Sequence, residues 1–333
     1  SYPMTVPRVP TLANLRILDS GTALPLDFDG TVTDYTVTAL SDTLTAEAAP
    51  FGSSGYTVTY NGGADSTVPA KDFTVTVSHE DGQSRTYSVH VNKAQAVNVT
   101  LRLPSGVTAQ VKNAAGSVLS PVSGSTYRLV PGERYTYEAT VSTYFHTSAA
   151  FTAAEGLTVE VARPETGHRL SSLGAYSARN ISKARTYELS PAFSTETHTY
   201  FITVPDYGSA PFLAADVSDS GYSITAIYAK HSASLSSDGK ETSVSIPAGS
   251  SSATLCTQAL LPSGDSNEMT LRLSRQSGDV TYYQDYTLTL RRQLSLKSLA
   301  LANSGNTQPL LDAAGSSVKF NRDTREYWIK VLN

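Results

Sequence analysis

Short segments in which apolar and polar residues alternate recur along the whole chain. A period of two, with many β-branched and aromatic residues, is typical of a β-strand with one buried face. Turn sequences such as Asn61-Gly62-Gly63 separate these segments. No segment of ten or more residues has the period of an amphipathic helix, so the chain is predicted to be all-β. The clearest strand segments are Tyr35–Thr38, Tyr56–Tyr60, Phe73–Val77, Tyr87–Val91, Tyr200–Val204, Ser243–Ile246, Met269–Leu273 and Tyr286–Leu290.

Four landmarks occur in the same order in two parts of the chain, and the first two of them recur in a third part. They are a Leu-x-x-Leu pair, a Phe and a Tyr with six residues between them, a Gly-Tyr-x-Val/Ile-Thr strand, and a closing strand that begins with Tyr. This order indicates an internal repeat. The first two landmarks are Leu12, Leu15, Phe28 and Tyr35 in the first copy, Leu170, Leu173, Phe193 and Tyr200 in the second, and Leu296, Leu299, Phe320 and Tyr327 in the third. The last two are Gly55-Tyr56 and Tyr87 in the first copy, and Gly221-Tyr222 and Tyr286 in the second.

The landmark residues have the chemistry of core and corner positions. The two leucines are predicted to anchor the first strand, and the Phe to close a turn over the core. A Tyr at the start of an inward-facing strand can bury its ring while its hydroxyl binds a backbone group. The second copy is longer, because twenty positions separate Leu173 from Phe193, whereas thirteen separate Leu15 from Phe28. A further insertion of roughly thirty residues lies between Tyr222 and Met269.

These motifs resemble the bacterial cadherin-like β-sandwich module, which recurs in large surface and secreted proteins of Gram-positive bacteria. The resemblance covers residues 12–93 and 169–292 and a fragment at 294–333. It implies tandem immunoglobulin-like or cadherin-like β-sandwiches, display outside the cell or at its surface, and no reaction.

Residues 96–167 do not fit the repeat. Their strand segments include Val97–Leu103, Val107–Val111 and Tyr127–Leu129, with turns at Pro104-Ser105-Gly106 and Pro131-Gly132. This arrangement resembles small PEGA-like or transthyretin-like sandwiches. The predicted organisation is therefore an N-terminal extension (1–11), sandwich 1 (12–95), a small sandwich (96–167), sandwich 2 with insertions (168–293) and a partial third repeat (294–333). About forty residues do not normally bury a core alone. The third repeat is thus expected either to pack against sandwich 2 or complete a sheet by strand addition, or to be a module cut in the middle.

Composition narrows the functional classes. The chain of 333 residues is 40% hydrophobic and 16% charged, with a net charge of −4. A low charged fraction is unusual for a cytosolic enzyme, and nucleic-acid binding normally requires a basic surface. With a negative net charge, nucleic acid is not expected as a partner. No apolar stretch is long enough for a membrane span, so membrane insertion is not expected either. The single cysteine, Cys256, is predicted to be a small buried hydrophobic residue.

The sequence contains no recognisable catalytic or metal-binding arrangement, so neither a catalytic residue nor a cofactor is predicted. The six histidines occur singly, without the spacing of a zinc site. Gly264-Asp265-Ser266 is interpreted as a turn rather than an esterase motif. Asp27 and Asp29 have the spacing of a calcium pair, but a polar turn beside Phe28 is favoured. The sequence leaves open whether isopeptide bonds join lysine to asparagine side chains within the sandwiches.

Tyrosine content raises a second functional hypothesis. Stacked aromatic rings on an exposed sheet face can bind sugars, and Tyr144, Phe145 and Tyr283 are the candidate glycan contacts. Tyr135 and Tyr137 share one strand face, for which a core role is favoured. The leading hypothesis is a non-catalytic structural or adhesive stalk, with other domains of the same protein as partners. The alternative is an accessory carbohydrate-binding module of a secreted enzyme, with host or plant glycans or surface proteins as ligands.

Overall fold

The structure is a computed structural model of the whole chain. It describes residues 9–52, 54–205, 211–217, 221–231, 237–246, 254–255, 266–293, 298–299, 301–303, 306–321 and 326–328. The chain divides into two compact units. One consists of Ser1–Thr166 together with Gln276–Tyr283, and the other of Gly167–Arg275 together with Gln284–Asn333.

The first sandwich lies in the first unit and is built from two four-stranded sheets. One sheet has the order β2-β1-β4-β6 and the other β3-β8-β7-β5. Strands β3 and β8 are parallel, whereas the other pairs are antiparallel. The strands are β1 (Leu12–Asp19), β2 (Thr22–Ala23), β3 (Asp34–Ala39), β4 (Thr43–Pro50), β5 (Tyr56–Tyr60), β6 (Thr67–Pro69), β7 (Phe73–His79) and β8 (Ser84–Lys93).

Alternation along these strands produces the core of the first sandwich. In β7, Phe73, Val75 and Val77 are buried, while the threonines between them are half-buried. The inward-facing residues of both sheets form one apolar cluster that includes Ile17, Leu44 and Tyr87. Each large aliphatic or aromatic side chain removed from water contributes roughly 1.5–3 kcal/mol, so this periodicity selects the register.

The middle sandwich, also in the first unit, has its own core. Strands β12, β9 and β15 pair in the order β12-β9-β15, and β11, β10, β13 and β14 pair in that order. Val99, Val111, Tyr127 and Tyr137 belong to the core between them. The strands are β9 (Val97–Arg102), β10 (Thr108–Lys112), β11 (Val118–Leu119), β12 (Thr126–Leu129), β13 (Arg134–Thr140), β14 (Phe145–Thr152) and β15 (Thr158–Glu160).

The second unit holds the second copy of the repeat. Its sheets have the orders β17-β16-β20-β23 and β18-β19-β25-β24-β21-β22. The tip of the β24–β25 hairpin, Gln276–Tyr283, belongs to the first unit. The strands are β16 (Leu170–Tyr176), β17 (Thr186–Tyr187), β18 (Leu189–Ser190), β19 (Thr199–Pro205), β20 (Phe212–Val217), β21 (Ser223–His231), β22 (Ser237–Ile246), β23 (Thr254–Leu255), β24 (Ser266–Ser277) and β25 (Val280–Gln293), and a 3₁₀ turn lies at Ile181–Lys183.

The third repeat contributes two short hairpins and an isolated bridge between Leu311 and Trp328. Leu296 lies outside the described residues, and Leu299 is half-buried. The packing of residues 294–333 against sandwich 2 stays a prediction. Its strands are β26 (Leu301–Asn303), β27 (Asn306–Gln308), β28 (Leu310–Leu311) and β29 (Ser317–Val318).

The prediction of an all-β chain of tandem immunoglobulin-like β-sandwiches is confirmed. Each of the eight alternating segments lies within a strand. The only helical element among the described residues is the single 3₁₀ turn, which lies between Leu173 and Phe193, where the second copy is seven residues longer than the first. No described helix has the length and apolar character needed to cross a membrane. The boundaries of the predicted domains stay predictions.

Gly30 provides a direct test of the packing at the entrance of the first sandwich. A Cβ at Gly30 would lie 2.6 Å from the carbonyl oxygen of Leu12, which is a backbone atom that cannot rotate away. We expect Gly30→Ala to destabilise the first sandwich by roughly 1–3 kcal/mol. Hydrogen exchange at Leu12–Asp19, measured by mass spectrometry on the whole chain, should accelerate.

Gly63→Ala is the matched control. A Cβ at Gly63 would lie at an ordinary 3.6 Å from the carbonyl oxygen of Tyr60. Its exchange should stay within about twofold of the unmodified chain, because a change of roughly 0.5 kcal/mol is typical of an unstrained surface site. Equal acceleration in both variants would contradict the close approach at Gly30.

Candidate functional site

The tyrosine of each Phe-x6-Tyr landmark binds the backbone six residues upstream. Tyr35 accepts from the N–H of Asp29 at 3.0 Å and donates to its carbonyl oxygen at 2.5 Å. Tyr200 makes the same pair of bonds with Ser194, and Tyr327 with Asn321. Such a tyrosine corner satisfies both polar groups of one turn residue and fixes the entry into the following strand.

The Phe of the same landmark packs on its Tyr in all three copies. The ring centroids are 5.4 Å apart for Phe28 and Tyr35, and 6.2 Å apart in the second copy. In the third copy the distance is 5.8 Å. Burial raises the pKa of Tyr35 and of Tyr200, so both phenols remain protonated donors at neutral pH. The landmark therefore specifies one local structure three times.

The closing tyrosine binds the first residue of its own repeat. The hydroxyl of Tyr87, in β8, accepts from the N–H of Leu12 at 3.0 Å. The hydroxyl of Tyr286, in β25, accepts from the N–H of Leu170 at 3.0 Å. We call this bond the tyrosine lock. It joins residues that are 75 and 116 positions apart in the chain, and it joins the first strand of one sheet to the last strand of the other.

The surroundings of the lock differ between the two copies. In the first copy, Tyr87 also donates to the carbonyl oxygen of Gly30 at 2.9 Å, and Arg85 donates to the same oxygen at 2.8 Å. In the second copy, the ring of His198 stacks on Tyr286 at 4.9 Å between centroids. Burial raises the pKa of Tyr286 to about 12. In the second copy, the tyrosine of the lock is thus a buried neutral phenol.

His198 and Gln284 form a buried polar pair beside Tyr286. Nδ1 of His198 lies 3.1 Å from the carbonyl oxygen of Glu196, and its Nε2 contacts the Gln284 amide. Burial lowers the pKa of His198, so the imidazole is neutral, with Nδ1 as the donor and Nε2 as the acceptor. The sequence carries no local signal for this pair, because its two members are 86 positions apart in the chain.

The candidate glycan contacts are placed differently from one another. Phe145 and Tyr283 are buried, with 8% and 6% of their surfaces exposed, whereas Tyr144 is half-buried. Burial counts against Phe145 and Tyr283 as contacts for a sugar. Tyr135 and Tyr137 lie in the core of the middle sandwich, which is the role favoured from the sequence.

Tyr283 instead belongs to a polar cluster with Glu138. Its hydroxyl donates to Glu138, and its ring stacks on His146 at 4.8 Å with an interplanar angle of 9°. Gln110 also donates to Glu138, at 2.8 Å, and Lys112 forms an ion pair with it. Burial raises the pKa of Glu138, but the hydrogen bonds from Lys112, Tyr283 and Gln110 outweigh burial and lower it to about 2.

Metal-ligating side chains do not converge in the part of the chain that the structure describes. No set of three or more His, Cys, Asp or Glu side chains there could hold a metal ion. Asp29 accepts from the N–H and the hydroxyl of Thr31, as expected for a polar turn. Cys256 and the start of the Gly264–Ser266 turn lie outside the described residues.

Solved structures with a related architecture include one of cadherin domains. The chain is similar to a solved structure described as "Protocadherin Gamma B2 extracellular cadherin domains 1-5", with 12% sequence identity and a TM-score of 0.22. The match covers 85% of this chain and 61% of that one, so the chain spans about three fifths of its length. No family model and no curated protein matches the chain.

The lock in the second copy should contribute measurably to stability. Tyr286→Phe leaves the buried N–H of Leu170 without its acceptor, which costs roughly 1–3 kcal/mol. Differential scanning calorimetry of the whole chain should show one transition lowered by several degrees. In Tyr176→Phe, the hydroxyl removed has no such partner among the described residues, and the transition should not move. Equal shifts would show that the Tyr286 hydroxyl bond contributes nothing specific.

Acid should weaken the Glu138 cluster. A carboxyl whose folded pKa is near 2 and whose ordinary value is 4.5 stabilises the fold above pH 4.5. That stability is lost as the pH falls from 4.5 towards 2. Glu138→Gln should lower the melting temperature at pH 7 and flatten its dependence on pH in this window. The exposed Glu155 is the control, and Glu155→Gln should leave the profile unchanged; a change as large as that of Glu138→Gln would contradict the cluster's role.

Proposed function

We propose that the chain is a non-catalytic structural or adhesive stalk segment of a larger protein displayed outside the cell. One observation carries the proposal. In both complete copies, the tyrosine lock joins the residue at which the chain enters the sandwich to the strand from which it leaves. In a tandem array under tension, force enters and leaves each module at these two points. The lock therefore lies in the path of the load.

The residues that the copies share make contacts within their own module, which supports the same role. The Phe packs on its Tyr, and the tyrosine hydroxyls bind backbone groups within the module. None of these bonds leaves a repeated polar group aimed at a ligand. A repeat whose shared residues all maintain the fold fits a spacer that is copied in series.

The cellular setting is part of the proposal. The repeat resembles bacterial cadherin-like modules, and the low charged fraction with abundant Ser, Thr and Tyr fits an exported surface protein. Its partners are then other domains of the same protein. We also propose that the chain performs no catalysis, since its repeated residues have structural partners. The alternative, an accessory glycan-binding module, stays a second proposal; of its three candidate contacts, Phe145 and Tyr283 are buried and Tyr144 is half-buried, and no observation favours it.

Pulling on single molecules tests the stalk role. With the chain held at its two ends, Tyr87→Phe should accelerate unfolding of the first sandwich at fixed load by about tenfold, because the loaded bond between Leu12 and Tyr87 is lost. Tyr60→Phe changes a tyrosine of the same sandwich that makes no lock, and its unfolding rate should not change. Equal rates for the unmodified chain and Tyr87→Phe would remove the main support for a load-bearing role.

A further inference from the structure

The outer edge of β3 has no neighbouring strand among the described residues, and its free backbone groups can be identified. The carbonyl oxygens of Thr33 and Ala39 accept from Ser88 and Ala94, on the β8 side. In a parallel pair, every second residue directs both its N–H and its C=O towards the same neighbour. The N–H and C=O groups of Thr36 and Thr38 therefore point to the open side.

The end of this edge agrees with that assignment. Leu40 lies two positions after Thr38 and four after Thr36, so its N–H points away from β8 as theirs do. It donates instead to Asp19 at 2.7 Å, and the N–H of Ser41 donates to the same carboxylate oxygen at 3.2 Å. Asp19 thus caps the end of the open edge, while Thr36 and Thr38 remain available.

The second copy of the repeat covers the equivalent edge. Counted from the landmark tyrosines, Thr36 corresponds to Phe201 in β19. There, β18 pairs antiparallel with β19, with Ser190 opposite Phe201. The position is therefore built to accept an antiparallel strand, and in the second copy the chain itself supplies that strand, after the seven-residue insertion.

A proline explains why the first copy leaves the edge open. Counted back from the landmark phenylalanines, Pro25 stands where the second copy has Ser190. Proline has no N–H and cannot donate to the carbonyl of Thr36. No backbone hydrogen bond joins Pro25 to β3.

The open edge lines a cleft within the first unit. The cleft has a volume of about 550 Å³ and contacts Thr36, Val37 and Thr38 in succession. Val37 is buried and Thr36 is exposed, so their side chains point to opposite faces of the sheet. A cleft that touches consecutive residues of both faces runs along the edge of the strand rather than over one face.

The far wall of the cleft belongs to the middle sandwich and has a mixed character. Leu119 and the exposed Val122 offer apolar surface, and Arg128 and Arg134 are exposed cations. No ion pair joins either arginine to another residue in the part of the chain that the structure describes. The carboxylates in the cleft are those of Asp19, already bound to backbone and hydroxyl donors, and of Glu133. On the wall from the middle sandwich, the two arginines outnumber the one carboxylate, Glu133, whereas Asp19 belongs to the first sandwich.

We propose that this cleft binds an extended segment of a partner protein by strand addition to β3. The segment lies antiparallel to β3, pairs with the backbone of Thr36 and Thr38, and carries alternating apolar and acidic side chains. The apolar side chains meet Leu119 and Val122, and the acidic ones meet Arg128 and Arg134. This inference is independent of the stalk role, since a module that only projects other domains needs no free edge.

Selection from a displayed library tests the proposal on the whole chain. Linear peptides of about eight residues, the length of a strand, should be enriched with alternating apolar and acidic positions. Thr36→Pro removes only an N–H that points away from β8, and proline is tolerated on such an edge. It should weaken binding of the selected peptides by about tenfold or more, measured by fluorescence polarisation.

The chain offers a matched proline control. Thr158 lies in β15, which is also an edge strand paired in parallel with one neighbour, β9. The carbonyl of Leu157 and the N–H of Val161 bond to the β9 side, so the N–H of Thr158 points outward by the same parity. Thr158→Pro lies outside the cleft and should leave peptide affinity unchanged. Calorimetry of both variants checks that each sandwich still folds.

Two further variants separate edge pairing from charge. Replacing Leu24–Leu26 with the longer segment 182–191 of the second copy should cover the β3 edge and abolish binding without a proline in β3. Arg128→Glu with Arg134→Glu should weaken the binding of acidic peptides and favour the binding of peptides with lysine instead.

Failure to enrich any peptide, or equal binding to Thr36→Pro and Thr158→Pro, would overturn the proposal. So would dimerisation of the chain that Thr36→Pro abolishes, because the occupant would then be a second copy.

Discussion

One hydrogen bond ties the two ends of each complete repeat together, from the N–H of its first leucine to the hydroxyl of its closing tyrosine. Apolar burial holds two sheets together, but it is non-directional and does not fix where a strand begins. A buried N–H is directional, and leaving it without an acceptor costs more than the bond itself contributes. The lock therefore positions the start of the first strand against the last strand, which lies in the other sheet. Its two partners come from opposite ends of the repeat, so it forms only when the module is complete.

Comparison of the two copies separates what the lock requires from what it tolerates. Both copies keep the phenol and the leucine N–H at 3.0 Å. The neighbours change, since Arg85 precedes the lock tyrosine by two positions in the first copy and Gln284 does so in the second. Arg85 binds the Gly30 carbonyl, whereas Gln284 contacts the buried His198. Polar support on one side of the ring can thus be rebuilt while the bond to the first strand stays the same.

Much of the fold could be predicted from the sequence because its signals are local. A period of two identifies strands, and a Phe with a Tyr seven positions later is a corner whose two partners lie close together in the chain. The partner of Tyr87 could not be predicted in the same way, because it is 75 residues distant and depends on how two sheets stack. Tyr283 shows the same limit. The sequence places Tyr283 among the candidate glycan contacts, but only the spatial position of Glu138 and His146 explains why Tyr283 is buried.

The two copies share the lock but differ in whether the edge strand of the second sheet is paired on its outer side. An unpaired strand edge invites association, so proteins cover it, shorten it or interrupt it. The second copy covers the edge of β19 with a strand that follows a seven-residue insertion. The first copy lacks the insertion and has Pro25 at the corresponding place, so its edge stays unpaired beside a cleft in which Arg128 and Arg134 lie. A change in one connecting segment can therefore open or close an edge without disturbing the lock, the corner or the core. Because these parts are independent, one module can hold its ends firmly and still present a different surface in each copy.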